Sequence, residues 1–258
     1  MGELDDEHGG SGSLRPNRHR AKSRVKQRSF WKGLPFAISI SIVLALLIKT
    51  FLVQAFSIPS DSMQNTLQRG DRVLVDKVTP WFGYTPKRGE VIVFRDPSNW
   101  LVNAPTSTPN VVQSFLSRVG LIPSSSEKDL IKRVIAIGGD TVACRRNGPV
   151  EVNNKTLDEP YIFPGNTPCG EKSFGPLRVP PGKIWVMGDH RQNSADSRWH
   201  MNDPKTHGFV PIENVVGRAF VVAWPVTRWA TLPIPKTFSQ PGIDEQAAAG
   251  STFVWPPS

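Results

Sequence analysis

Residues 34–48 contain no charged side chain, and residues 50–56 resume the apolar pattern after a single Lys49. That run is the strongest constraint on the chain. About 20 apolar residues in a helix match the hydrocarbon thickness of a bilayer. Lys49 lies near the far end, where a long side chain can snorkel to the headgroups. Pro35 suits a first helical turn, in which its missing N–H costs nothing. The rival reading is a cleaved secretory signal, with Val53-Gln54-Ala55 as the small-residue site. The length of the run and the in-line Lys49 favour an anchor that stays.

Charge supports the same reading. The 258 residues carry a formal net charge of +9, which by itself invites a nucleic-acid partner. Much of that charge is local, however. Residues 1–33 hold Arg15, Arg18, Arg20, Lys22, Arg24, Lys26, Arg28 and Lys32 against Glu3, Asp5, Asp6 and Glu7. A basic segment abutting an apolar run follows the positive-inside rule and needs no DNA or RNA. It places 1–33 on the cytoplasmic side as a disordered tail.

Beyond residue 57 the pattern changes to short β-type runs between turn residues, at 72–78, 90–94, 131–137, 141–144, 150–152, 183–187 and 215–224. Many short strands at regular spacing predict a mainly β domain. Residues 97–129 read as an insertion rich in Ser, Asn, Thr and Pro, with helical spacing over 111–122. Within it Ser125 and Lys128 form an S-x-x-K pattern, but no S-D-N or K-T-G accompanies it, so it carries no weight. From Pro233 onward the composition predicts a frayed tail.

Cys144 and Cys169 are the only cysteines. Outside the membrane they could form a disulfide. Two buried free thiols are the other reading, and both stay open. No histidine is spaced to complete a zinc site with them, so no metal is expected.

The chemistry concentrates in Ile58-Pro59-Ser60-Asp61-Ser62-Met63-Gln64-Asn65-Thr66-Leu67. Pro59 pushes Ile58 to an extended conformation, so a strand enters a turn that presents Ser62. Most serine-rich turns only bond their own backbone, so Ser62 needs a base. His190 follows Asp189, which keeps a serine–histidine reading open, yet adjacent side chains fit poorly with an acid behind the imidazole. Lysine is the alternative, and it acts as base only when neutral. Burial among apolar groups lowers its pKa. Lys132, within Leu130-Ile131-Lys132-Arg133-Val134-Ile135, has that setting; the bland reading is an edge-strand lysine facing water.

The segments 58–67, 70–77, 131–140 and 188–198, in that order after a membrane anchor, resemble the boxes of type I signal peptidases, and 208–211 with 216–219 is similar to that family's closing strand region. The resemblance covers roughly residues 30–225. It implies an antiparallel β-sheet catalytic domain, a serine nucleophile at Ser62, a lysine general base at Lys132 and no cofactor. Ser60 would add a hydroxyl to the oxyanion hole and Ser194 would orient Lys132. Asp196 and Arg198 would form a salt bridge holding the loop, with Asp189 and Arg191 supporting it. Phe56, Ile58, Met63, Leu67, Leu130 and Ile131 match positions lining shallow pockets for small substrate side chains.

The chain departs from the family at Asn65, where proline is usual and a less rigid turn follows, at His190 for asparagine, and at an insertion over 201–207. The implied organisation is the cytoplasmic tail 1–33, a transmembrane helix over 34–56, an extracytoplasmic catalytic domain over 57–232 and the tail 233–258. The implied partners are preprotein signal peptides, plasma-membrane lipids and a nearby secretion translocon, with no nucleic acid. Two rivals are a self-cleaving Ser-Lys regulator, which would need a DNA-binding segment, and an inert membrane-tethered β domain.

Overall fold

The computed structural model describes residues 30–51, 53–77, 83–101, 129–146 and 148–245. It divides into two compact units, Met1–Ile42 and Val43–Ser258. The helix α1 runs Phe30–Phe51, so Pro35 is internal to it rather than in its first turn. Its described side chains include exposed Phe36, Ile38, Ile40, Val43 and Leu44. Counted over described residues alone, no helix is long and apolar enough to cross a membrane; the side chains at 42 and 45–51 fall outside that count.

The expected helical span to residue 56 ends early, because Val53–Ser57 is a strand, β1. Its backbone pairs with β2 (Arg72–Asp76) and its Phe56 is buried. Ten more strands follow: β3 (Val91–Arg95), β4 (Asp129–Ile137), β5 (Thr141–Cys144), β6 (Val150–Val152), β7 (Lys155–Thr156), β8 (Phe174–Arg178), β9 (Lys183–Met187), β10 (Val210–Pro211), β11 (Val215–Trp224) and β12 (Ala230–Thr231). The large sheet runs β1-β2-β11-β3-β4-β9-β10, with β12 on β11; a second runs β7-β6-β5-β8. The pairings described are all antiparallel, so the mainly β expectation holds.

Position in the sheet explains the sequence of each strand. β2 alternates buried and half-exposed residues, as one covered face requires. β4 lies between β3 and β9 and is buried from Leu130 to Ala136. Lys132 is therefore on a central strand, not on a water-facing edge. Both of its neighbours in sequence are buried as well, which a single covered face could not produce.

The tail is not frayed throughout. A 3₁₀ turn at Lys236–Ser239 buries Phe238, and Ile243 is fully buried in the same core as Cys144 and Trp185. Asn153 Nδ2 donates to Ile243 O at 2.8 Å and Arg88 pairs with Asp244 at 2.5 Å. Two apolar anchors outweigh the Pro/Gly composition around them. The tail beyond 245 and most of the 97–129 insertion, with Ser125 and Lys128, lie outside the described residues.

Candidate active site

The turn after β1 is held by backbone bonds. Ile58 N donates to Asp71 O at 2.9 Å and Gly70 N to Ile58 O at 2.9 Å. Inside it, Leu67 N donates to Met63 O at 2.7 Å. Met63 and Leu67 are fully buried with Phe56, Ile58 and Ile131. Burying such a side chain contributes about 1.5–3 kcal/mol, so these anchors pin the turn that carries Ser62. Leu130 packs elsewhere, with Ile92, Phe94 and Trp100. Strand alternation separates it from Ile131. The six expected pocket residues thus fall into two clusters.

Ser62 and Lys132 meet across the fold. Lys132 Nζ donates to Ser62 Oγ at 2.6 Å, and both residues are buried, with 4% of Lys132 exposed. Burial is the main reason the lysine pKa is pushed down to about 8. Asp196 and then Asp189 oppose that shift, and Arg198 adds to it. Ser60 Oγ lies 3.3 Å from Ser62 Oγ. Ser194 is buried and faces Asp196, but its hydroxyl makes no hydrogen bond of good geometry, to Lys132 or otherwise.

The loop over 188–198 has the expected Asp196–Arg198 pair, and its other charged residues find partners outside the loop. Asp196 and Arg198 do bond, through Nε at 2.9 Å and Nη2 at 2.7 Å. Asp196 also accepts from Gly188 N at 3.0 Å. Arg198 holds it ionised below the usual carboxylate range despite burial. Asp189, however, takes both prongs of Arg133, at 2.9 and 2.6 Å, and a hydrogen bond from Thr66 Oγ1. Arg191 instead forms a fork with Glu159, at 2.9 and 2.5 Å. Arg133, Glu159 and Thr66 were missed by sequence reasoning. The signal available was local: Arg133 follows the lysine in an apolar strand, and a buried guanidinium needs an acid.

His190 stacks on Phe163 with centroids 4.3 Å apart, and its Nδ1 lies 3.3 Å from Asp61 O; its backbone N donates to Ser62 O at 3.1 Å, while the hydroxyl of Ser62 is met by Lys132 and Ser60 rather than by the imidazole. Asn65 has φ +83° and donates from Nδ2 to Tyr161 O at 3.0 Å and Ile162 O at 3.1 Å. The turn expected to loosen without proline is tied instead to a segment far along the chain. A cavity of about 520 Å³ opens beside Asn65, Thr66, Arg133 and Tyr161, walled by residues 227–233. Ser62 and Lys132 do not line it. Among the described residues no cluster of metal-ligating side chains is present.

A serine with a desolvated lysine on its oxygen can perform acyl transfer. The model of the family "Signal peptidase, peptidase S26" matches residues 31–224. The "Signal peptidase I" of Mycobacterium tuberculosis is 41% identical over 230 residues, covering 81% of this chain and 78% of that protein. The "Probable signal peptidase I" of Mycobacterium leprae is 42% identical, covering 80% and 81%. The "Signal peptidase I" of Leptolyngbya laminosa is 37% identical, covering 78% and 83%. With a match over most of its length, and with that site, the chain belongs to the signal peptidase family, peptidase S26, and is a serine endopeptidase.

Proposed function

We propose that the protein removes N-terminal signal peptides from translocated preproteins at the outer surface of the plasma membrane, cleaving after small Ala-x-Ala-like residues. Ser62 is the nucleophile and neutral Lys132 the general base. The observation that carries this reading is the 2.6 Å contact between Lys132 Nζ and Ser62 Oγ in a buried site. The neutral amine accepts the Ser62 proton as Oγ attacks the scissile carbonyl. The Ser62 backbone N–H and the Ser60 hydroxyl receive the developing oxyanion. The lysine ammonium then protonates the leaving amine. Water, deprotonated by the same amine, releases the acyl group.

Substrate enters extended. β1 pairs only with β2 among the described residues, so its outer edge is open to a peptide strand. Phe56, Ile58, Met63, Leu67 and Ile131 form the apolar floor, and Leu130 belongs to the neighbouring cluster. Gly188, Asp189, Arg191, Asp196 and Arg198 hold the loop that carries Ser194, whose role in this reading is to orient Lys132. The charge-free run 34–48 and the exposed apolar side chains of α1 support a single membrane crossing with residues 1–33 cytoplasmic. The translocon and plasma-membrane lipids are the expected neighbours, and nucleic acid is not.

Incubating purified full-length protein with a preprotein tests the reading. Ser62→Ala and Lys132→Ala each abolish cleavage while the fold persists; near-normal activity in either would refute the dyad. Ser60→Ala is milder, a loss of about 10²–10³ in rate for one oxyanion donor. Protease added to intact spheroplasts digests the β domain, and full protection there would reverse the orientation.

A further inference from the structure

The second sheet contains a pair of side chains that the proposed reaction does not use. Cys144 ends β5 and is buried; Cys169 lies in the 167–172 turn and is completely buried. Both are free thiols in this structure. They enter one apolar core with Val142, Phe174 and Trp185. Cys144 is in register with Phe174 of β8, the strand that the turn holding Cys169 leads into. The two thiols lie near enough within that core for each to shift the other's ionisation, Cys144 upward and Cys169 downward. Cys169 Sγ donates to Lys172 O at 3.3 Å, and Cys144 Sγ makes only long contacts, to Gly148 O at 3.8 Å and Arg145 O at 3.9 Å. Both sulfurs thus sit in one core that excludes solvent.

What the turn holds gives this pair a use. Pro168 O accepts from Arg191 Nη1 at 2.6 Å, and Cys169 O accepts from Arg198 Nη1 at 3.1 Å. Arg198 Nη2 in turn donates to Arg191 O at 2.8 Å and to Asp196, which fixes Gly188 N. The backbone of 168–169 is thereby the seat of both arginines behind the loop that carries Ser194. Within the turn itself one backbone bond closes the chain, Gly170 N to Thr167 O at 3.1 Å.

We propose that Cys144 and Cys169 form a disulfide in the mature protein, and that this bond clamps the 167–172 turn onto β5 and so fixes the carbonyls that seat Arg191 and Arg198. The inference rests on the extracytoplasmic placement of the β domain proposed above. There the oxidant is the disulfide of a thiol-oxidising enzyme or of oxidised glutathione. Both S–H bonds break, one S–S bond forms, and two protons with two electrons convert the oxidant's disulfide to two thiols. Thiolate attack needs access, so oxidation precedes final closure of this core. The cross-link removes conformations from the unfolded chain and lies away from the reacting atoms.

The test uses full-length protein. Cells are lysed into denaturant with an alkylating agent, and the thiols are counted by mass. A linked pair of peptides containing Cys144 and Cys169, with no alkylated cysteine, is expected; two alkylated thiols overturn the disulfide. Purified protein in detergent is also refolded in a mixture of oxidised and reduced glutathione. There the same linkage is expected, and its absence overturns the pairing whatever the orientation in the membrane. Linkage in the redox buffer with reduced thiols in cells, together with protease protection of the domain, would identify failure of the orientation and of the disulfide in vivo. A reductant lowers the unfolding temperature of the parent by roughly 5–10 °C. Cys144→Ser, Cys169→Ser and the double variant show equal losses and no further response to reductant. A pair that merely packs would leave the parent insensitive to reductant.

Discussion

Arg133 and Asp189 form a two-pronged ion pair, at 2.9 and 2.6 Å, in which the arginine is 3% exposed and the aspartate not at all. The pair ties the strand that carries Lys132 to the loop that carries Ser194. Breaking it from one side leaves a buried charge alone. Asp189→Ala is therefore expected to destabilise the fold by about 3–5 kcal/mol, whereas Arg133→Met combined with Asp189→Leu loses less. Denaturant titration of the three proteins checks this. A double variant as unstable as the single one would show that the charges do not act as a unit.

The acid limb of the cleavage rate should fall near pH 8, since burial holds the Lys132 pKa at about 8 and only the neutral amine accepts a proton. Asp189 favours the ammonium, so Asp189→Asn moves that limb to lower pH. His190→Ala leaves it in place. A rate profile in which His190→Ala abolishes cleavage and Lys132→Ala does not would sink the lysine mechanism.

The same lysine burdens the fold. Its folded pKa lies below the unfolded value, so the unfolded chain binds more protons between the two and stability rises with pH across that window. Lys132→Met should stabilise the protein at pH 7 by on the order of 3 kcal/mol. The gain should shrink from about pH 8 towards 10.5 as the folded lysine in the parent becomes neutral. Equal gains at pH 7 and pH 10 would contradict the shift.

Asn65 does the work of a rigid turn residue by other means. Proline fixes φ near −65°, which is incompatible with the +83° seen here. Asn65→Gly keeps the conformation and loses two side-chain bonds, each worth about 0.5–1.5 kcal/mol. Asn65→Pro loses the bonds and the conformation. Cleavage and thermal stability should therefore rank parent, Gly, Pro. Proline performing as well as asparagine would place the rigidity elsewhere.

Gly188 has no room for a side chain. A Cβ there would lie 2.2 Å from Ser194 Oγ and 2.4 Å from Ser62 O. Gly188→Ala must shift one of them, and a displacement of about 1 Å at a nucleophile can lower the rate by roughly 10²-fold. Loss in kcat with KM nearly unchanged is the expected pattern; unchanged kcat would mean the loop yields freely.

The serine, the lysine and most strands were legible in the chain because each is written locally. A strand announces itself by alternation and turn residues, and a candidate serine–lysine pair by residue types within short segments. The seven β-type runs all became strands, although β1, β7, β8, β10 and β12 carried too little pattern to be read. Three things required the tertiary structure. Asp189 pairs with Arg133 and Arg191 with Glu159, because charge partners are chosen by which segments meet, and 56 residues separate the first pair. Lys132 is central rather than at an edge, because sheet order depends on β3 and β9 arriving on either side of β4. Residues 236–243 are ordered in spite of their composition, because Phe238 and Ile243 reach a core assembled from strands elsewhere in the chain. Local sequence sets what a segment can become; burial against distant segments decides which charges ionise, which pair, and which ends hold.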